Sequence, residues 1–389
     1  MSELIQKHDN RATIRWKLLT GASALALTAY VSSASIVKAE DSSQPQIWIE
    51  LGGELGRLQA GRETFAPEFP NSPSRPPYFD PSQKFEKPPL FGIDEDGKIS
   101  FQPENFDWVF SAAIQYGRAV SKKHAHQEIY VPRTYVTHAP LNQTHITVYL
   151  TGIAQKFADT RVRNTESHSI LDFQAGKDVG LGLFGKDGSS VVSAGVRIAQ
   201  FRSNSNIAVK SNPDWHLKYF YSSSPVPHSV VTGGEIYHSN AASLRATRSF
   251  RGIGPSLSWN ASAPFAGNGQ NGELTLDWGV DVAFLFGKQK TRTHHQTTGR
   301  YHGPKYPPGY RLITYQGPAH PDHTRSRNVT VPNLGGFAGI SWNYADAKLS
   351  LGYRADFFFN AIDGGIDARK NEDRSFFGPY ASISVGLGD

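Results

Sequence analysis

Long stretches of the chain alternate apolar and polar residues with a period of two, which places alternate side chains on opposite faces of a β-strand. The clearest stretch runs from Leu274 to Phe286, where apolar residues share one face and Thr275, Asp277 and Asp281 share the other. The same pattern recurs along the chain. It predicts nine strands, at residues 46–59, 106–118, 169–184, 190–202, 243–262, 273–287, 333–344, 348–360 and 376–388.

The length of these strands and their aromatic residues favour a membrane barrel. A transmembrane strand needs about 9–11 residues, whereas strands of globular proteins usually have about five or six. The polar face suits a hydrated interior rather than an apolar sandwich core, so an antiparallel outer-membrane β-barrel is predicted. A secreted β-sandwich or propeller is the alternative. Aromatic residues typical of membrane interfaces are Trp48, Trp108, Trp259, Trp278, Trp342, Tyr344, Tyr353 and Tyr380.

The connections between the predicted strands alternate in length. Short turns near 185–188, 264–272 and 344–347 are expected on the periplasmic side, with long extracellular loops at the other end. Because bacterial barrels have even strand numbers, we expect ten strands, with a return strand near Gly97–Phe101. Twelve strands result if residues 127–157 add a hairpin. The predicted long loops cover about 60–105, 120–168, 204–242 and 288–329.

The N-terminus has the layout of a secretory signal peptide. Basic residues at 7–17 precede an apolar stretch from Leu18 to Val31, and Val37 and Ala39 are suitable residues before a cleavage site. Residues 1–39 are therefore predicted to be a signal peptide, and residues 40–389 the barrel. An uncleaved membrane anchor is the alternative. The predicted location is the outer membrane of a Gram-negative bacterium.

Composition excludes several classes of protein. The formal charge of +6 falls to a balance of 35 basic and 32 acidic residues without residues 1–39, which argues against nucleic acid as a partner. A mean hydropathy of −0.43 excludes a polytopic helical membrane protein. The absence of cysteine excludes disulfides, cysteine-ligated metal centres and a thiol nucleophile.

Five short sequences carry a family resemblance: Ile47–Gly53, Trp108–Ala113, Leu171–Gly182, Ser249–Pro255 and Gly352–Phe358. Together they resemble the Legionella-type pore-forming outer-membrane β-barrel family, whose α-proteobacterial members are often labelled iron-complex or TonB-dependent receptors. The resemblance covers most of residues 46–389 and implies a single barrel in the outer membrane. It implies no catalytic residues, cofactor or ligand set. A TonB-dependent receptor pairs a much larger barrel with a plug domain, for which this chain has no room.

Charged residues on the polar faces are the candidate lumen residues, because a charge facing lipid is costly. They predict a mildly cation-preferring constriction, or else a salt-bridge ladder that fills a narrow barrel. Lys177 lies on an apolar face, which predicts a bulge or strand end near it. The lumen candidates are Asp107, Asp172, Asp178, Arg197, Asp277, Asp281, Arg354 and Asp356.

The predicted outer loops are rich in histidine and basic residues. Imidazole groups there are metal-binding candidates, although ordinary solvated loop residues are the simpler explanation. The metal candidates are His124, His126, His294, His295 and His302. Basic residues that could contact lipopolysaccharide are Lys122, Lys123, Lys288, Lys290, Arg292, Arg325 and Arg327.

These patterns predict a pore or passive uptake channel for small solutes. A closed barrel acting as a surface structural or receptor-like binding protein, for example for metal complexes, is the alternative. A barrel-rim hydrolase using Asp322–His323 or Ser167–His168 has no complete catalytic set, so we expect no enzyme and no cofactor. Expected partners are outer-membrane lipids and lipopolysaccharide, the outer-membrane assembly machinery and small solutes. Homo-oligomerisation is left open, because no face is marked for it.

Export predicts a new N-terminus. Mass spectrometry of the protein isolated from membranes should give a chain that begins at Glu40, because cleavage follows Ala39. A chain that retains residues 18–31 in the membrane fraction would instead support the uncleaved anchor.

Overall fold

The structure is a computed structural model. It describes residues 46–59, 90–104, 106–141, 144–179, 189–212, 218–223, 228–230, 237–268, 271–305, 309–316 and 323–387. The predicted signal peptide lies outside the described residues, and so does the predicted turn at 185–188.

The described residues form strands almost throughout. The strands are β1 (Gln46–Glu54), β2 (Arg57–Gln59), β3 (Leu90–Gln102), β4 (Trp108–Leu141), β5 (Thr144–Asp178), β6 (Ser189–Asn212), β7 (Lys218–Ser223), β8 (His228–Val230), β9 (Tyr237–Asn268), β10 (Gly272–Lys305), β11 (Gly309–Gln316), β12 (His323–Tyr344), β13 (Ala347–Asp363) and β14 (Asn371–Leu387).

Ten of these strands close a barrel in which each long strand pairs antiparallel with the next along the chain. The closing pair joins β1 to β14, from Ile47 opposite Leu387 to Glu54 opposite Tyr380. Strand β3 pairs with both β1 and β4, which confirms the return strand expected near Gly97–Phe101. The all-β, antiparallel ten-stranded barrel predicted from the sequence is therefore confirmed.

The two faces of the wall differ as the alternation predicted. On β10 the side chains of Leu276, Val280, Phe284 and Phe286 point outward and are 46–57% exposed, whereas Asp277 faces inward and is buried. An apolar face turned outward has no core to pack against, so it is a lipid-facing surface rather than a sandwich face. Tyr380 is an exception among the predicted interface aromatics, because it faces inward and is 8% exposed.

The predicted long loops are replaced in large part by continued strands. β4 has 34 residues and β5 has 35, and they pair from Trp108 opposite Lys177 up to Leu141 opposite Thr144. The residues 127–157 thus lengthen this hairpin and add no further strands to the wall. The sequence loses its apolar alternation here because both faces leave the bilayer, yet the backbone groups still need partners and find them in the adjacent strand.

The short turns carry the backbone conformations that tight turns require. Gly267 and Gly272, on either side of the β9–β10 turn, have positive φ angles of 95° and 96°. Such angles are readily adopted only by glycine. The β12–β13 turn is two residues long, as predicted at 344–347, and Ala345 takes a φ of 50° there.

No helix in the described part of the chain is long and apolar enough to cross a membrane.

A charge placed on the outward face should be costly. Val280→Arg, in the middle of the apolar face of β10, is expected to lower the free energy of unfolding in lipid vesicles by about 2–4 kcal/mol, the cost of an arginine at the bilayer midplane. Ser243→Arg is the control, since Ser243 is exposed on the outer wall of β9 far from this face. Denaturant titration of the refolded protein measures both. Equal effects would contradict the lipid-facing assignment.

Candidate functional site

The barrel interior contains a network of buried charges centred on Arg197 of β6. Its Nε and Nη2 atoms donate to the two carboxylate oxygens of Asp172 at 2.8 and 3.0 Å, and Nη1 donates to Asp281 at 2.5 Å. Nη1 also donates to the side-chain oxygen of Asn333. Arg197 is 6% exposed, so these bonds form away from bulk water, where unpaired charges would be very costly.

Glycines make room for this network. Asp172 lies directly opposite Arg197 on β5, but Asp281 is two strands away on the other side, beyond β9. The β9 residue opposite Arg197 is Gly254, so no side chain stands between the guanidinium and Asp281. On β12, a Cβ atom at Gly335 would collide with the carboxylates of both Asp281 and Asp356.

Two further groups of predicted lumen residues also face inward. Arg354 lies 3.9 Å from Asp96 on β3, and its guanidinium stands 5.4 Å from the ring centroid of Tyr380. Nearer the short-turn end, Asp277 is 2.6 Å from the ammonium of Lys348 and accepts a hydrogen bond of 2.6 Å from Ser262. The inward charges are thus paired with one another, in most cases between strands that are not direct neighbours in the wall.

Asp107 and Asp178 lie at the barrel rim rather than in the lumen where the sequence placed them. Asp107 precedes β4, has a 76% exposed side chain and pairs with Lys177 at 2.9 Å. Asp178 is the last residue of β5 and accepts the backbone N–H of Ser190 at 3.3 Å. The alternation that assigns a face holds only inside a strand, and both residues are at strand ends. The strand end predicted near Lys177 is confirmed.

Beside the charges, a layer of buried apolar side chains crosses the interior. This apolar layer draws on eight of the ten wall strands, and Phe201, Phe250, Phe358 and Phe376 are 0–4% exposed. Phe201 contacts the other three, with ring centroids 4.6–5.8 Å apart. Its members are Leu58, Ala119, Ile170, Ala199, Phe201, Phe250, Ala283, Leu285, Val331, Phe358, Ala361, Ile362 and Phe376.

The apolar layer was not predicted, although the sequence carries a signal for it. Leu285 interrupts the alternation between Phe284 and Phe286, and Phe358 interrupts it between Phe357 and Phe359. In a strand, three consecutive large apolar residues must place one on the face opposite the other two. Apolar residues on the polar face therefore indicate material packed inside the barrel.

The last residues of β13 and the connection from β13 to β14 fold into the barrel mouth. This inner segment, residues 360–370, contains Ala361 and Ile362, which are fully buried. Arg325 of β12 donates to the backbone oxygens of residues 365, 366 and 367 at 2.8–2.9 Å and to the Asp363 carboxylate at 3.0 Å.

The next two strands of the wall hold the inner segment as well. Gln289 and Thr291 of β10 donate to the backbone oxygens of Asn360 and Asp363 at 2.6 and 3.1 Å. Arg248 of β9 donates to the backbone oxygen of Gly364 at 3.1 Å. The segment is therefore fixed by side chains of three wall strands.

Several buried ionisable groups were also missed. Arg374 is fully buried, 3.1 Å from Glu166 and 3.4 Å from Glu372. His168 approaches Asp94 at 3.4 Å. Because Ser167 faces outward from the same strand, the adjacent Ser167–His168 pair considered for a hydrolase is divided between the two faces of the wall.

The histidine candidates are dispersed. His124 is hydrogen-bonded to Asp159, which holds the pKa of that exposed carboxyl below its usual value, and His126 lies 3.8 Å from Asp159. His294 and His295 point to opposite sides of β10, and His295 pairs with Asp367 at 2.9 Å.

The backbone at His302 pairs with Leu312 of β11. Within the described ranges, no group of three or more histidine or acidic residues is arranged to hold a metal ion. Metal binding by the loop histidines stays a prediction.

Comparisons with known proteins give similarity in fold only. The sequence matches no protein-family model and no curated protein. Among solved structures, the outer membrane protease OmpT from Escherichia coli is 10% identical with a TM-score of 0.29, and the match covers 91% of this chain and 100% of OmpT.

Two more outer-membrane proteins give weaker matches. The toluene transporter TodX from P. putida is 8% identical with a TM-score of 0.19, covering 90% of this chain and 91% of TodX. The translocator domain of the autotransporter NalP from Neisseria meningitidis is 9% identical with a TM-score of 0.17, covering 96% of both chains.

The charge network should matter for stability. Arg197→Met is expected to lower the free energy of unfolding by about 3–5 kcal/mol, because two mostly buried carboxylates lose their counter-ion. Arg197→Lys should lose less stability than Arg197→Met but should not reach that of the wild type, since an ammonium cannot make the bidentate contact with Asp172. Asp107→Asn, which breaks an exposed ion pair, should cost about 1 kcal/mol or less. Denaturant unfolding in lipid vesicles measures all three, and equal losses would contradict a structural role for the network.

Proposed function

We propose that the protein is an outer-membrane β-barrel with a closed interior that acts through the β-structure projecting from its outer end. Support for the location comes from the closed antiparallel wall and its outward apolar face, the arrangement that satisfies all backbone groups in lipid. Membership of the Legionella-type family stays a prediction within this proposal.

The apolar layer is the observation that carries the closed-interior proposal. Its phenylalanines belong to wall strands, so opening a path through the described interior requires them to leave their contacts. Exposing a buried phenylalanine to water costs about 1.5–3 kcal/mol. Exposing Phe201, Phe250, Phe358 and Phe376 would cost on the order of 10 kcal/mol, comparable with the whole stability of a folded domain, about 5–15 kcal/mol.

The strands themselves point to where the protein acts. At about 3.3 Å per residue, the 34 residues of β4 greatly exceed the 9–11 residues that a tilted strand needs to cross a bilayer. The excess lies at the end opposite the short turns, and β7 and β11 add further pairs to β5 and β10 there. A closed barrel of this kind anchors an extended β-surface for binding outside the cell.

A passive channel for small solutes is the second candidate, and the inner segment favours it. Residues 364–370 of this segment are a connection held at the mouth by hydrogen bonds, so their release would widen the entrance without breaking the wall. The inward acidic residues Asp172, Asp281 and Asp356 would then give the path a preference for cations.

Single-channel current in planar bilayers distinguishes the two candidates. The closed barrel predicts no discrete conductance steps from the wild-type protein. It also predicts none from Arg325→Ala, which removes the contacts with Asp363 and residues 365–367 but leaves the four buried phenylalanines in place. A gated channel predicts larger or more frequent steps in Arg325→Ala.

The same recordings need a folding control and a selectivity control. Heat-modifiable migration in gels shows that each variant is a folded barrel. Cation-selective steps that lose their selectivity in Asp281→Asn or Asp277→Asn would refute the closed interior and support the channel.

A further inference from the structure

A surface whose charged residues are all basic lies on the outer wall, directly beyond the apolar face. Four outward, exposed residues on three adjacent strands form it, and we call them the basic cluster: Arg202, Arg251, Lys288 and Lys290. Strands β6, β9 and β12 contain no aspartate or glutamate, and β10 contains none after Asp281. This wall therefore offers the cluster no acidic neighbour of its own.

The members of the cluster are also close together. Arg251 and Lys288 are directly opposite each other in the β9–β10 ladder. Arg202 is the diagonal neighbour of Arg251 on β6, because Gln200 is its direct partner. Like charges directly opposite each other on a sheet are destabilising. Among the described residues, neither Arg251 nor Lys288 has a hydrogen bond or ion pair that would offset this repulsion.

A groove of about 750 Å³ joins these charges to the apolar face. Arg251, Lys288 and Asn328 line its polar part, and Ile198, Ile253 and Phe286 line its apolar part. Ile253 and Phe286 are 51% and 57% exposed and lie directly opposite each other on β9 and β10. The next pair along the two strands is Gly252 and Gly287. The groove is thus basic at one end and apolar at the other.

We propose that this groove binds a phosphorylated lipid of the outer leaflet, with the phosphate between Arg251 and Lys288 and an acyl chain along Ile253 and Phe286. The argument is charge complementarity together with continuity with the lipid-facing surface, and it rests on the proposed membrane location. A phosphate relieves the repulsion between the two cations, and a basic residue near a membrane surface gains about 1 kcal/mol from anionic lipid. A soluble anion would leave the apolar end of the groove unused.

Native mass spectrometry of the protein purified in detergent micelles tests this site. The probes are diphosphoryl lipid A, the same lipid without its phosphates, and inorganic phosphate. We expect the wild-type protein to retain diphosphoryl lipid A, and Arg251→Gln with Lys288→Gln to weaken its binding about 30-fold, since each charge contributes about fivefold. The swap Arg251→Lys with Lys288→Arg should keep most of the affinity.

The matched control is Lys122→Gln with Arg163→Gln. This pair is also directly opposed and basic, on β4 and β5, but it does not line the groove. If the site is the groove, this control double variant should weaken lipid A binding less than threefold, compared with about thirtyfold for the variant of Arg251 and Lys288. Equal loss in both double variants, equal retention of the dephosphorylated lipid, or binding of inorganic phosphate alone would overturn the proposal.

The outcome is separable from that of the proposed function. A conducting barrel that still retains lipid A through Arg251 and Lys288 would refute the closed interior and leave the lipid site standing. A folded, non-conducting barrel that binds lipid A equally well without these two charges would refute the lipid site and leave the closed interior standing.

Discussion

Every other feature of this molecule depends on the pairing of the first strand with the last. An open sheet would leave a row of N–H and C=O groups facing lipid, where no water can satisfy them. The antiparallel pairing of β1 with β14 removes that edge. Once the sheet is closed, one face of each strand must contact lipid and the other must fill a narrow interior. The alternation of apolar and polar residues along the chain follows from these two environments.

A ten-stranded barrel leaves little room inside, and this chain fills the space in two ways. Paired charges occupy the part nearer the short turns, phenylalanine rings lie beyond them, and the ion pairs of Arg374 lie nearest the inner segment. Keeping the charges and the rings in separate layers avoids the cost of either arrangement alone. Charges placed among the rings would lack partners, whereas an all-charged interior would need a counter-ion for every group. Together they connect strands on different sides of the barrel.

The sequence predicted what depends on local alternation and missed what depends on distance. The faces of Asp277 and Val280 followed directly from a period of two, whereas the strand near Gly97–Phe101 followed from the even strand number of bacterial barrels. The partner of Arg197 two strands away did not, because nothing in one strand reports the residue reached across Gly254. The fate of residues 127–157 was likewise ambiguous, since polar residues on both faces are compatible with a loop or with a paired strand in water. Asp107 and Asp178 were misplaced because a periodic pattern does not mark its own end.

The position of Arg197 also constrains how the barrel can be assembled. Asp172 precedes it in the chain, but Asp281 and Asn333 follow it by 84 and 136 residues. A wall that contains only β1 to β9 would hold this guanidinium with two of its three partners still outside. If the strands were inserted into lipid one at a time, an intermediate stage would therefore contain the Arg197 guanidinium with too few counter-charges. The network favours completion of the wall as a unit and gives the finished order of strands an energetic advantage over any mispaired one.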